Sequence, residues 1–245
     1  MTALRPEWIV PEWPAAPGVR ALVTTRAGGV SGGGYRSLNL GARGGDDPDA
    51  VARNRKILRE FLPADPLWLH QVHGTEVVVA EAAGPLPQGD AAVARTRNRV
   101  CAVLTADCLP VLLTDRSGEV VGIAHAGWRG LAGGVIEAAV AAMVVTPSRI
   151  LAWLGPGIGP RAYEVGSDVR DRFVSQDPAA ARAFADRGDG KYLADLYALA
   201  RQRLAAAGVT AVYGGRFCTY SEPERFYSYR RNGATGRFAS LIWMA

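Results

Sequence analysis

At 245 residues, 49% apolar and 21% charged, the chain can bury a substantial core and is not disordered as a whole. No apolar run reaches the ~18–20 residues that cross a bilayer, which argues against a helical membrane span. The net charge of +5 is carried by arginine, since Lys56 and Lys191 are the only lysines, yet no basic run with interleaved aromatics points to DNA or RNA.

Arginine suits the bidentate holding of phosphate or carboxylate. The opening MTALRPEWIVPEWP has no basic segment followed by an apolar one. No secretory signal is therefore expected, and the protein is expected in the cytoplasm. Cys101, Cys108 and Cys218 make an odd count, which predicts reduced thiols rather than a disulfide framework. Cys101, inside an apolar run, reads as a small buried hydrophobe.

In chain order, residues 1–19 are rich in Pro and Trp and are expected to wrap the surface. A strand is predicted over 20–25. The glycine-rich stretch 26–41 fits neither the Walker pattern nor GxGxxG opening a helix, and reads better as a long mobile loop over an active site. GGDDPD caps a helix over 50–61. Strands follow over 67–72 and 76–80, joined by His73-Gly74, and then a Pro/Gly loop over 84–90. Three short apolar runs, 100–104, 109–114 and 120–124, read as buried strands. A helix of small residues is predicted over 131–144, a strand over 150–154 and a tight GPGIGP loop over 155–160. Helices are predicted over 167–174, 178–186 and 192–207, the last being the clearest amphipathic pattern and stopped by Gly208. Strands over 209–213 and 238–243 close the chain. There is no internal repeat and no dividing linker, so the expectation is a single α/β domain over 1–245 with a mixed sheet.

The chemistry converges on strand ends. Cys108 follows Asp107 at the break between two apolar runs, and His125 ends a third. His73, before Gly74, is favoured over His70 as the residue a ligand can approach. A structural zinc site usually shows four ligands in paired CxxC or HxxxH spacing. The set His73, Cys108, His125 has three, each from a different strand end, which is the layout of a catalytic zinc that lowers the pKa of bound water to about 7. The pattern leaves two other readings open: a Cys108–His125 nucleophile–base pair, and satisfied core residues. Asp107 reads as an acid/base, a group that orients a ligand, or a turn cap. Arg129 stands near a helix start beside His125, an anion site or a solvent-facing residue. Arg26 and Asn39 bracket the glycine-rich loop and would reach a substrate or cap the loop.

Seven stretches carry a resemblance that these patterns do not supply. They are TTRAGGVSGGGYRSLNLG at 24–41, QVHG at 71–74, DAAVARTRNRVCAVLTADCLPVLL at 90–113, AHAGWRG at 124–130, LGPGIGPRAYEVG at 154–166, FCTY at 217–220 and FYSYRRNGATGRFASLIW at 226–243. In this order the chain resembles the bacterial YfiH family, historically called polyphenol oxidase or laccase-domain proteins and related to mammalian FAMIN. The resemblance implies an α/β fold with mixed β-sheets sandwiched between helices, in an α/β/β/α arrangement. It places the family's zinc (Zn2+, sometimes copper, Cu2+) ligands on His73, Cys108 and His125. It implies phosphorolysis of adenosine, inosine and S-methyl-5′-thioadenosine, adenosine deamination, and a proposed role on peptidoglycan precursors. The older laccase label needs several copper centres and about ten histidines; this chain has three. The expected partners are a purine nucleoside and phosphate, with Asp107 as the nearest proton carrier and Arg26, Arg129 or Arg230 on phosphate. Two rival readings are a Cys108–His125 hydrolase or amidase editing peptidoglycan precursors, and a metal-binding protein without turnover.

Overall fold

The computed structural model describes residue 5 and residues 7–245. Its strands are β1 (Val19–Val23), β2 (Pro66–Leu67), β3 (Val77–Val79), β4 (Ala91–Ala94), β5 (Val100–Thr105), β6 (Leu109–Asp115), β7 (Val121–Ala126), β8 (Ile150–Leu154), β9 (Glu164–Gly166), β10 (Phe184–Gly188), β11 (Lys191–Ala194), β12 (Ala211–Gly214) and β13 (Phe238–Met244). The helices are α1 (Pro48–Arg59), α2 (Trp128–Gly133), α3 (Val135–Ala142), α4 (Ser167–Val174), α5 (Leu196–Ala206) and the single turn α6 (Tyr229–Asn232).

Two sheets lie face to face. One has six strands in the order β12-β8-β6-β7-β4-β3, and the other four in the order β1-β13-β5-β2. Strand alternation explains the layering, because successive side chains point to opposite faces. On β13, Phe238, Ile242 and Met244 enter the core between the sheets, where they share a cluster with Cys101, Val103, Leu112 and Ile123. Its alternate residues Ala239, Leu241 and Trp243 pack with Leu58, Phe61 and Leu62 at the end of α1. The outer face of the six-stranded sheet, through Val111, Leu113 and Ala124, is covered by Ile136 and Ala139 of α3 and Leu199 and Ala200 of α5. The layers are thus helix, sheet, sheet, helices. Strands buried on both faces carry no polar alternation, which is why 100–126 reads as continuous apolar runs. A three-stranded sheet, β10-β11-β9, lies apart from these two.

Several sequence expectations are corrected. Of the predicted 67–72 strand only Leu67 pairs with β5, as the second residue of β2; beyond it the chain is irregular apart from a bridge between His70 and Gln88. The predicted 131–144 helix begins earlier and breaks at Gly134, whose φ of 100° ends α2 and starts α3. The 192–207 segment is not one helix: β11 pairs with β10 and β9, and the Asp195 carboxylate then caps α5 by accepting from Ala198 N–H at 2.9 Å. Likewise 178–186 is a short 3-10 turn followed by β10. The glycine-rich stretch is not a free loop over a site. Asn54 of α1 ties it down, donating to Ser31 Oγ at 2.9 Å and accepting from Val30 N–H at 2.8 Å. Of the 1–19 stretch, residues 1–4 and 6 lie outside the described residues. Within the rest, Trp8 is buried against Phe61 rather than lying on the surface.

Candidate functional site

Two of the chain's crossings from the smaller to the larger sheet carry residues of the candidate site. Cys108 sits in the turn where β5 of the smaller sheet passes to β6 of the larger, and His73 in the segment from β2 to β3. His125, near the end of β7, stands opposite Pro110 of β6. These three residues come together: their ligand atoms all lie within 4.8 Å of one another. Cys108 Sγ is 3.8 Å from His73 Nε2, and the two imidazole rings are 4.7 Å apart at 69°. Zinc bonds of about 2.0–2.3 Å in a tetrahedron set ligand atoms about 3.3–3.8 Å apart, so the group fits an ion with little movement. Two imidazoles and a thiolate suit zinc or copper(I) better than hard cations. Among the described residues no fourth His, Cys, Asp or Glu joins the group, and three protein ligands would leave a bound zinc a place for water or substrate.

Asp90, which sequence reasoning passed over, organises this group. It is fully buried at the start of β4. Its Oδ1 accepts from His125 Nδ1 at 2.7 Å, which leaves Nε2 as the ligating nitrogen. Its two oxygens also accept the backbone N–H groups of Val72 at 3.0 Å, His73 at 2.9 Å and Gly74 at 2.7 Å. Those bonds hold His73 at a φ of 61°, a left-handed conformation uncommon outside glycine. One carboxylate therefore sets two of the three ligands. The available signal was an acidic residue opening a wholly apolar segment, AAVA, on whose buried strand a charge needs partners.

Electrostatics match this arrangement. Burial alone would raise the Cys108 thiol, but the charge and hydrogen bonding of His125, joined by His73, bring it down to about 6. Burial would likewise lower His125, yet the Cys108 thiolate and the Asp90 carboxylate raise it to about 9. Asp90 is pushed up by burial and more strongly down by His125 and the Gly74 and Val72 N–H groups, so it stays ionised. Cys101, in contrast, has no such partner, and burial pushes it up to about 12.

Close approach is made possible by glycine. A Cβ on Gly127, at the start of α2, would lie 2.9 Å from His73 Cδ2 and 3.0 Å from Cys108 Sγ. On Gly130 it would lie 2.8 Å from Gly74 O.

The group opens into a cavity of about 540 Å³, within the range of small-molecule sites. Arg43, Arg55, Arg129, Arg230 and Arg237 line it, with the aromatic rings of Trp68, Trp128, Tyr163 and Tyr229. Asp107 is its one acidic lining residue, and both its oxygens are engaged: Oδ1 accepts from the Thr219 hydroxyl at 2.6 Å and Oδ2 from Arg230 N–H at 2.7 Å. Of the expected substrate residues, Arg129 and Arg230 reach the cavity. Arg26 and Asn39 do not. The Arg26 guanidinium is bound to the carbonyls of Arg36 and Pro223, and Asn39 is buried against Gly41 and Arg237 N–H. A second cleft, about 600 Å³, is lined by Tyr197, Arg201, Phe217 and Cys218 and contains none of the three ligands.

Comparison with known proteins adds a consistent picture. A family model described as "Multi-copper polyphenol oxidoreductase laccase" matches residues 20–245. A purine nucleoside phosphorylase of Pseudomonas aeruginosa is 55% identical over 238 residues, covering 97% of this chain and 98% of that protein. The purine nucleoside phosphorylase YfiH of Escherichia coli is 54% identical over 239 residues, covering 96% and 98%. Among solved structures, a Neisseria meningitidis protein superposes with a TM-score of 0.94 at 55% identity, covering 97% of this chain and 99% of that one. YlmD from Geobacillus stearothermophilus does so with a TM-score of 0.87 at 33% identity, covering 94% of each.

Proposed function

The chain belongs to the YfiH family, whose model carries the laccase description, and from that membership we propose that it is a purine nucleoside phosphorylase holding a single zinc ion. The observation that carries the reading is one cavity in which a three-ligand metal group, five arginines and four aromatic rings meet. The relatives named for this activity match the chain almost end to end. Oxidation of phenols by several coppers is a poor fit: it needs about ten histidines, and one of the three here, His70, stands outside the group.

His73, Cys108 and His125 would hold the ion, with Asp90 fixing the ring of His125. Zinc, when bound, supplies Lewis acidity at its open position. The chain's own residues do the rest. The arginines, Arg129 and Arg230 among them, hold phosphate for attack at ribose C1′. A phosphate oxygen bonds to C1′ as the C1′–N bond breaks, the electron pair passes to the purine, and the proton of hydrogen phosphate ends on the free base beside ribose 1-phosphate. Tyr229, the most exposed of the cavity rings, offers a face for the base. Asp107 serves best as the tie that holds the 229–232 turn to the wall, since Thr219 and Arg230 occupy its oxygens. Adenosine, inosine and S-methyl-5′-thioadenosine are the proposed substrates; in adenosine deamination water adds at C6 of the base, the C6–N bond breaks and the amino group leaves as ammonia, giving inosine.

The lowered Cys108 thiol favours one rival, a Cys–His hydrolase or amidase acting on peptidoglycan precursors. Stoichiometric alkylation of Cys108 with a trapped acyl-enzyme would support that rival; protection of Cys108 by zinc supports the phosphorylase. The decisive test is product analysis of zinc-loaded protein given adenosine with and without phosphate. Adenine and ribose 1-phosphate appearing only with phosphate is the expected result, and inosine marks deamination. Absence of both products ends this reading.

A further inference from the structure

Two of the cavity arginines, Arg55 and Arg237, are half-buried, whereas Arg43, Arg129 and Arg230 are exposed. Arg237 is pressed against Gly41, where a Cβ would lie 2.8 Å from its Cγ. Its Nη1 donates to Thr235 O at 2.8 Å and Gly236 O at 3.0 Å. Arg55, from α1, reaches the same short segment, its Nε donating to Leu40 O at 3.0 Å. Its guanidinium lies 4.5 Å over the Trp68 ring. The backbone joins the two, because Leu40 N–H donates to Arg237 O at 3.0 Å. Arg55 is thus fixed by the Leu40 carbonyl and Trp68, and Arg237 by Gly41 and the carbonyls of 235 and 236, both at the wall of the metal cavity.

What they lack is an anion. Neither forms an ion pair with any Asp or Glu among the described residues. Arg55 keeps both Nη groups, and Arg237 its Nε and Nη2, without a protein partner among those residues. Half-buried guanidinium groups with idle donors are costly unless something completes them. Burial in fact pulls both below the ordinary arginine value, and for Arg237 the negative charges of Cys108 and Asp107 pull the other way, a sign of its nearness to the metal group. Stacking on Trp68 uses the flat face of Arg55 and leaves its N–H edge free. Asp107, the only acid in the wall, is already taken by Thr219 and Arg230.

We propose that Arg55 and Arg237, fixed at Leu40 and Gly41, form an oxyanion subsite for a phosphoryl group in the metal cavity. A tetrahedral dianion offers enough oxygens for two forks at once, which a single carboxylate does not. The role of the subsite in turnover rests on the phosphorolysis reading; its ligand chemistry does not. The phosphoryl group is either inorganic phosphate or one carried by a nucleoside.

The test begins with wild-type, zinc-loaded protein, so that no variant has to fold. Arginines are modified with phenylglyoxal and mapped by mass spectrometry, alone, with inorganic phosphate, and with adenosine 5′-monophosphate. Protection of Arg55 and Arg237 by inorganic phosphate, with Arg187 of the β10–β11 hairpin unaffected, is the expected result. Protection by the monophosphate alone supports the subsite and assigns it to a nucleotide. Protection at Arg129 and Arg230 instead, or nowhere, overturns the proposal. Where inorganic phosphate protects, R55Q and R237K are each expected to raise KM for phosphate at least ten-fold with little change in KM for nucleoside; an unchanged phosphate KM in both folded variants then overturns the proposal. A protein that shows the protection but no phosphorolysis keeps the subsite and loses the proposed function.

Discussion

Replacing Asp90 with Asn keeps the shape of the side chain but exchanges one acceptor oxygen for an NH2 group. Four donors point at Asp90 in the native protein, three backbone N–H groups and His125 Nδ1. The amide cannot satisfy both sides, so either the His73 backbone or the His125 ring loses its tie. D90N is expected to weaken zinc binding about 10–100-fold. Competition with a chromophoric chelator measures it, and an unchanged affinity in folded D90N removes Asp90 from any positioning role. Asp115, at the end of β6, makes a similar but purely structural claim. Burial alone would raise its carboxyl, but the Ser117 hydroxyl and the N–H groups of Val120, Glu119 and Ser117 more than offset this and hold it below its ordinary value. A depressed native pKa adds stability above the unfolded value and loses it as pH falls through the native one. D115N is therefore expected to cost about 1–3 kcal/mol near neutrality. The gap between wild type and D115N in urea unfolding should shrink as pH drops below about 4; a gap constant with pH would remove the charge from the account.

Among the elements, α2 comes closest to the ligands, and it can do so only because it starts with glycine. The methyl group added by G127A would fall 2.9 Å from His73 and 3.0 Å from Cys108. G127A is expected to fold, since its φ of −64° suits alanine, yet to lose at least ten-fold in zinc affinity as the ligands are pushed apart. Far-ultraviolet circular dichroism with the same chelator titration checks both halves. Elements also show where the sequence was readable. Strands β5 to β8 stood out because both faces are buried, so apolar residues run on without interruption. Tyr192 and Leu193 misled because their spacing continues the helical stripe of α5; the true boundary was Asp195, a capping residue whose signal was present and underweighted. Strand β4 went unseen because AAVA has neither length nor aromatic content. Cys108 and His125 were legible at strand ends, but His73 stands in an irregular segment where a strand end was expected, and Gly74 beside it was the surviving signal. Arg55 and Arg237 were not, because a cavity wall gathers residues 182 positions apart in a way that no local pattern encodes.

At the scale of the molecule, an ion that binds only the folded chain stabilises it by mass action. At free zinc about 100 times Kd the gain is about 2.7 kcal/mol. For a chain of this size each kcal/mol moves Tm by about 2–4 °C. Chelation is expected to lower Tm by about 5–10 °C without loss of the fold, read by calorimetry with and without added zinc. No change would mean that the group holds no metal under those conditions. Among the described residues no helix is long and apolar enough to cross a membrane.

The double crossing of the chain between sheets has a consequence for how the protein comes to be. Cys108 lies 35 positions beyond His73, and each ligand is contributed by a different passage of the backbone. An unfolded chain presents them as solitary side chains, with none of the paired spacing by which a short peptide captures zinc. On the proposed metal reading, the sandwich would close first and the ion would enter a finished pocket. A chain made without zinc is then expected to reach the same fold and to take up the ion afterwards.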